Sequence, residues 1–289
     1  MRIPERLSRG VCFSFEFFPP KTTVGEEQLW ATLRELGSLE PGFVSVTYGA
    51  GGSSRDRTIE IATHIKNGAG IEPLAHLAVR GHSCGEIESI LARLRAAGVE
   101  NLLCLRGDPP RGAQEEVGSE DFRYASDLVA FVRARSQSFA LGGACYPEGH
   151  PESATLEADL VAVQAKVRVG VEFLITQLFF DNTYYIDFVR RARQLGIMIP
   201  IIPGIMPITD AAQVERFTKL CGATIPADLQ HELAACREDA EAVLRLGVTY
   251  ATQQCRDLIA RGAPGVHFYT LNRSRATRQI LEALRKEGY

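Results

Sequence analysis

Short apolar runs rich in Val, Ile, Leu and Phe recur along the chain, at 13–18, 43–48, 73–79, 101–107, 139–146, 173–180, 199–205 and 265–271. Each has the length of a buried strand. Most of their starts lie 26 to 38 residues apart, with one interval of 66 before the last. The stretches between them are charged and carry apolar residues at helical spacing. Leu29, Leu33 and Leu36 form one such stripe, and Ile87, Ile90, Leu91 and Leu94 another. Strand–helix alternation repeated eight times predicts an α/β protein, a (β/α)8 TIM barrel. The long interval predicts extra helices between strands 7 and 8, around 209–221, 226–236 and 238–261, and a closing helix follows at 273–286. No linker rich in Gly, Ser or Pro interrupts the series, so residues 1–289 are expected to form a single domain.

A doubly wound sheet is the competing architecture, and it would want a Gly-x-Gly-x-x-Gly turn after an early strand. The nearest candidate, Gly49-Ala50-Gly51-Gly52-Ser53-Ser54, has Ser at the third glycine and follows the second strand. No Gly-x-x-x-x-Gly-Lys-Ser/Thr loop is present either.

Alternation within the first strand is informative. Phe13, Phe15 and Phe17 share one face, which suits packing against outer helices, and this leaves Ser14 and Glu16 pointing into the barrel. A carboxylate flanked by Phe15, Phe17 and Phe18 would lose hydration, and desolvation raises a carboxyl pKa. Glu16 is therefore a candidate general acid. A structural glutamate satisfied by an ion pair reads equally well from position alone.

The working face of a barrel lies at the C-terminal ends of its strands. There the chain places Thr47-Tyr48, His76, Arg106-Gly107-Asp108, Tyr146, Gln177 and Tyr269. Singly these residues say little; a lone histidine is more often a core residue than a catalyst. Together they suit a large, flat heteroaromatic ligand, with tyrosines as surfaces and Asp108 and Gln177 as partners for ring N–H and carbonyl groups.

Composition narrows the partners. A hydrophobic fraction of 45% with 23% charged residues is ordinary for a globular chain. Thirty-two Lys and Arg against 35 Asp and Glu give a net charge of −3, with no basic excess for nucleic acid. No apolar run is long enough to span a bilayer, and the N-terminus lacks a signal-peptide stretch. Seven scattered cysteines form no Cys-x-x-Cys pair, which fits a reducing, cytoplasmic setting. No group of His, Cys and carboxylates has metal-ligand spacing, so no metal is expected and an organic cofactor is.

Several blocks carry a resemblance. Phe15-Glu16-Phe17-Phe18-Pro19-Pro20-Lys21, Leu105-Arg106-Gly107-Asp108-Pro109, Tyr146-Pro147-Glu148-Gly149-His150-Pro151-Glu152, Ile175-Thr176-Gln177-Leu178-Phe179-Phe180-Asp181 and His267-Phe268-Tyr269-Thr270-Leu271-Asn272-Arg273 resemble methylenetetrahydrofolate reductases, in the family's order from first strand to last. The resemblance implies a flavoenzyme carrying non-covalent FAD. Such an enzyme reduces 5,10-methylenetetrahydrofolate to 5-methyltetrahydrofolate with NADH or NADPH, in one-carbon metabolism that feeds methionine synthesis. It implies Glu16 as the general acid that protonates N10, giving the 5-iminium cation that accepts hydride. Asp108 would bind the pterin near the flavin and stabilise that cation. Gln177, Tyr269 and Arg273 would complete the folate side. FAD contacts would come from Thr47, Tyr48, His76, Arg106, Gly107, Asp108, Tyr124, Ala125, Tyr146, His150, Asp159 and Lys166. The last two lie seven apart in the helical segment 154–169, hence on one face. A single site for both substrates implies ping-pong kinetics.

One position departs from the family. Four residues after Pro207, where an aromatic is common, this chain has Ala211. Stacking is worth about 0.5–1.5 kcal/mol, so either the pyridine nucleotide binds less tightly or another aromatic substitutes. Nothing separates NADH from NADPH, or fixes the physiological direction. Relatives are often oligomers, so a homo-oligomer is an expectation, although no stripe marks an interface. Larger relatives append an S-adenosylmethionine-binding domain, for which this length leaves no room, and no such feedback is expected. The rival classes are a folate-using methyltransferase barrel, which needs no FAD, and a scaffold that has lost its chemistry.

Overall fold

Apolar strands that alternate with amphipathic helices can bury both faces of a parallel sheet only by closing it on itself or covering it with two helical layers. The computed structural model, which describes residues 1–48, 52–107 and 121–289, shows the first solution. Parallel strands β1 (Cys12–Phe17), β2 (Phe43–Val46), β3 (Pro73–Ala78), β4 (Asn101–Leu105), β5 (Ala140–Cys145) and β6 (Phe173–Thr176) follow in order. They are joined by helices α2 (Thr23–Gly37), α3 (Gly52–Asn67), α4 (Cys84–Ala96), α5 (Ala125–Arg135) and α6 (Leu156–Arg168), after a short α1 (Ile3–Leu7). Then come α7 (Asn182–Gln194), β7 (Ile201–Ile202), β8 (Gly204–Ile205), α8 (Ala211–Cys221), α9 (Ala227–Cys236), α10 (Ala240–Ala260), β9 (Gly265–Tyr269) and α11 (Arg275–Lys286). The fold is a (β/α)8 barrel. Among the described residues no helix is long and apolar enough to cross a membrane.

The sheet order is β7-β6-β5-β4-β3-β2-β1-β9-β8. Its two edges, β7 and β8, are halves of what the sequence predicts as one strand over 199–205. Pro203 separates them because it has no N–H to give to a ladder. Its carbonyl still accepts the His267 N–H at 2.9 Å. Across the seam the Gly204 N–H donates to Thr176 Oγ1 at 2.9 Å, and the Tyr269 hydroxyl donates to the Thr176 carbonyl at 2.6 Å. A Cβ on Gly204 would lie 2.4 Å from that carbonyl and 2.6 Å from the Tyr269 ring. Absence of a side chain lets the tyrosine cross the gap.

The three helices expected between strands 7 and 8 are present as α8, α9 and α10, one to three residues shorter than their patterns. Strands predicted to run to 48, 107, 180 and 271 end at Val46, Leu105, Thr176 and Tyr269. Consequently Tyr48, Arg106, Gly107 and Gln177 sit in the loops just beyond. His76, grouped with the strand ends in the sequence, is instead the fourth residue of β3 and lies within the barrel.

Two apolar layers follow from the alternation. Phe13, Phe15 and Phe17 pack outward with Leu29, Leu33 and Leu36 of α2 and with Phe268. Inside the barrel, Cys12, Phe43, Leu74, Leu103, Ala140, Phe173 and Ile202 form a small core at the N-terminal end. Helix α1, which the sequence pattern does not reveal at only five residues, plugs that end with Ile3 and Leu7. It is pinned by the Ile3 N–H to Asn101 Oδ1, 2.8 Å.

Candidate active site

The opposite end of the barrel is polar. From β1, Ser14 and Glu16 face inward. The His267 ring from β9 joins Ser14 Oγ through Nδ1 (2.8 Å) and Ser45 Oγ through Nε2 (3.1 Å). Glu16 Oε2 lies 3.6 Å from His76 Nε2 and 3.9 Å from His267 Nε2. These rings, rather than Phe15, Phe17 and Phe18, surround the carboxylate: Phe15 and Phe17 face the helices, and Phe18 is 41% exposed. The aromatic desolvation expected from sequence neighbours is therefore replaced by neighbours across the sheet.

His76 Nε2 is buried and has no hydrogen-bond partner among the described residues. Burial pushes the His76 imidazole down to about 4, against the Glu16 charge, which pulls the other way. Tyr269, edge-on to His267 at 5.6 Å between centroids, is raised well above the ordinary tyrosine value by burial and then by Glu16. It stays a neutral donor to Thr176.

The backbone of Glu16 is fixed as well. Thr270 Oγ1 donates to the Glu16 carbonyl at 2.6 Å. Asn272 grips the next segment with both ends of its amide: Phe18 N–H to Oδ1 at 3.0 Å, and Nδ2 to the Phe18 carbonyl at 2.9 Å. Leu271 and Asn272 adopt φ of 52° and 56°, the left-handed region that costs a side chain energy.

A second group lies beyond β4 and β5. Arg106 makes a two-pronged pair with Glu152, at 2.7 and 2.8 Å. The Tyr146 and His150 rings meet edge to face at 4.6 Å. His150 N–H donates to Asp159 Oδ2 (3.2 Å) and Ser153 Oγ to Asp159 Oδ1 (3.4 Å), so buried Asp159 ties the loop to α6. Lys166, on the same helix, donates to the Ala144 carbonyl at 2.5 Å, and burial lowers its pKa. Gly107 has φ +88°, and a Cβ there would meet Ala78 Cβ at 3.0 Å. Tyr48 bonds His82 Nε2 through its hydroxyl (2.7 Å), and the Thr47 carbonyl accepts from Thr58.

Not every sequence candidate joins these groups. Gln177 is at the mouth, its Oε1 accepting the Leu178 N–H at 2.9 Å. Tyr124 and Ala125 stand at the start of α5, with Tyr124 half exposed beside Arg123. Arg273 is exposed in the turn after β9. Asp108 and Gly49 to Gly51 lie outside the described residues. Ala211 opens α8 and is buried in an apolar cluster with Leu178, Phe180, Met206, Ile208 and Val214.

The barrel mouth thus holds a partly exposed acid beside two buried imidazoles. The methylenetetrahydrofolate reductase family model matches residues 2–285. The chain belongs to that family. It is 38% identical over 271 residues to the Escherichia coli 5,10-methylenetetrahydrofolate reductase, covering 94% of this chain and 90% of that one. It is also 38% identical over 280 residues to the Arabidopsis thaliana methylenetetrahydrofolate reductase (NADH) 1, covering 93% of this chain and 47% of the plant protein. The chain thus spans about half the length of its plant relatives. Among solved structures, an uncharacterized Clostridium thermocellum protein that binds two copies of 5-methyl-5,6,7,8-tetrahydrofolic acid shares the fold. Its TM-score is 0.70 at 17% identity, over 99% of this chain and 98% of that one.

Ser45 and His82 escape the sequence reading; Ser14 enters it by strand parity alone, and Glu152, Thr270 and Asn272 only within the resembling blocks, without a role. His267 and Tyr269 lie on one face of β9, so the alternation that singled out Glu16 would also have found His267. Asn272 had no such signal, because its role comes from a backbone angle.

Proposed function

We propose that this chain is an FAD-dependent reductase that converts 5,10-methylenetetrahydrofolate to 5-methyltetrahydrofolate with NADH or NADPH. The observation that carries the reading is the Glu16 carboxylate, held inside the barrel mouth beside His76 and His267, in a chain whose bacterial relatives bear that name.

The residues around Arg106 fit a dinucleotide. The guanidinium is a planar cation suited to a pyrophosphate, for which it would exchange Glu152. Asp159 and Ser153 offer partners for ribose hydroxyls, and Gly107 allows close backbone approach. Thr47, Tyr48, His76, Tyr124, Ala125, Tyr146, His150 and Lys166 complete the proposed FAD set, with Asp108. Bound there, FAD would supply storage of one electron pair between the two half-reactions.

The chain's own residues do the rest. Glu16 gives its proton to N10 of the folate, the N10–methylene bond breaks with its electron pair going to N10, and the N5 iminium so formed becomes the 5-methyl group on gaining the hydride that NADH or NADPH would supply by way of bound FAD. Asp108 stabilises that cation, and Gln177, Tyr269 and Arg273 orient the folate. Donor and folate use one mouth in turn, so the kinetics are ping-pong. Residues 1–289 act as one catalytic unit, which the strand-to-strand closure supports. Seven free cysteines support a cytoplasmic setting. The test is uptake of FAD by the purified protein, followed by steady-state rates with both substrates varied. Parallel double-reciprocal lines are expected; a protein that takes up no FAD, or gives intersecting lines, would contradict the proposal.

A further inference from the structure

We infer that Phe18 is the aromatic wall against which the p-aminobenzoyl ring of the folate packs; this rests on the folate-reductase reading above. Cys12, Ser14 and Glu16 face the barrel interior, and alternation carries Phe18 to the same side. Pro19 holds its predecessor in the extended region, so the alternation persists past the last strand residue. The ladder does too, since the Thr47 N–H still donates to the Phe17 carbonyl at 2.9 Å.

Phe18 differs from the phenylalanines before it. Phe13, Phe15 and Phe17 are 8%, 0% and 0% exposed, whereas Phe18 is 41% exposed. A ring left 41% open to water gives up part of the stability that full burial would bring, yet its backbone is held at both polar groups by the Asn272 amide. Asn272 is itself buried and left-handed, kept there by Thr270 Oγ1 on its N–H (3.2 Å) and Thr32 Oγ1 on its carbonyl (3.1 Å). Strain maintained by a dense set of bonds marks positions where geometry matters. Here it fixes where an exposed ring stands.

Chemistry chooses the ring's partner. N10, which Glu16 protonates, is the aniline nitrogen of the p-aminobenzoyl group. Two strand residues outward from Glu16 is about 7 Å, along the path by which that aromatic group leaves the site toward solvent. Ala211 supplies no ring, being packed under α8 in its own apolar cluster, and Phe18 is the ring that stands outward of Glu16, where the aniline group of the folate leaves the site.

The experiment uses the FAD-loaded protein and its F18A, F18L and F18Y variants. Binding of 5-methyltetrahydrofolate and KM for NADH with an artificial quinone acceptor are both measured. F18A and F18L should weaken folate binding about 2- to 13-fold, F18Y should match the parent, and KM for NADH should hold. Unchanged folate binding in F18A, or an equal change in KM for NADH, would overturn the inference while leaving the folate reading intact. A parent protein that binds no reduced folate would overturn both.

Discussion

His76→Gln should make the protein less sensitive to acid. In the folded chain burial holds the imidazole at about 4, whereas an unfolded histidine titrates near 6.5. The folded value is the lower one, so between these pH values the unfolded chain binds more protons. The stability that neutral His76 confers is present above pH 6.5 and is lost as pH falls toward 4. At about 1.4 kcal/mol per pH unit, the loss reaches about 2 kcal/mol by pH 5 and about 3 kcal/mol near pH 4. Glutamine fits the polar site but does not titrate, so its variant lacks this slope. Urea unfolding of both proteins at pH 7.0, 6.0, 5.0 and 4.5 measures the difference. The variant starts less stable at pH 7 and closes the gap by about 2 kcal/mol at pH 5. Parallel stability curves across that range would refute the argument that His76 is buried neutral beside Glu16.

Other substitutions separate strain from space. Gly204→Ala puts a Cβ against the Thr176 carbonyl and the Tyr269 ring, so the melting temperature should fall by the equivalent of about 1–3 kcal/mol; an unchanged transition would show that the seam has room. Gly85→Ala, in the first turn of α4 with nothing within 4 Å of the new methyl, should stabilise by about 0.4–1 kcal/mol, and a lower melting temperature would contradict this. Asn272→Ala removes two hydrogen bonds to Phe18 and leaves alanine at φ 56°. It should cost about 2–4 kcal/mol in urea unfolding, with Asn272→Gly recovering the backbone part. If the alanine and glycine variants were equally stable, the left-handed angle would not be a source of strain.

How far the sequence carries depends on whether a feature is periodic. The two-residue repeat of Phe13, Phe15 and Phe17 against Ser14 and Glu16 is enough to turn the acid inward, because a strand cannot place adjacent residues on one face. The same repeat along β9 holds His267 and Tyr269 inward. The helix stripes placed α8, α9 and α10 to within two residues. What escaped has no period. The break at Pro203 splits a strand that its apolar run makes look continuous. Helix α1 is too short for a stripe. Asn272 and Thr270 act through a turn angle and hydroxyl bonds that only the folded chain brings to Glu16. The neighbours of Glu16 follow the same rule: Phe15 and Phe17, adjacent to it in sequence, lie on the opposite face, and the rings beside it come from β3 and β9.

The central claim is that Glu16 acts as proton donor to the folate and to nothing else. Glu16→Gln keeps the shape and removes the acid, so anaerobic stopped-flow mixing of the FAD-loaded variant, first with NADH and then with 5,10-methylenetetrahydrofolate, tests it directly. Flavin reduction by NADH should keep its rate within a few-fold, while reoxidation by the folate should fall at least about 100-fold, the scale of general-acid catalysis. Equal losses in both half-reactions, or folate-driven reoxidation at the parent rate, would contradict the account.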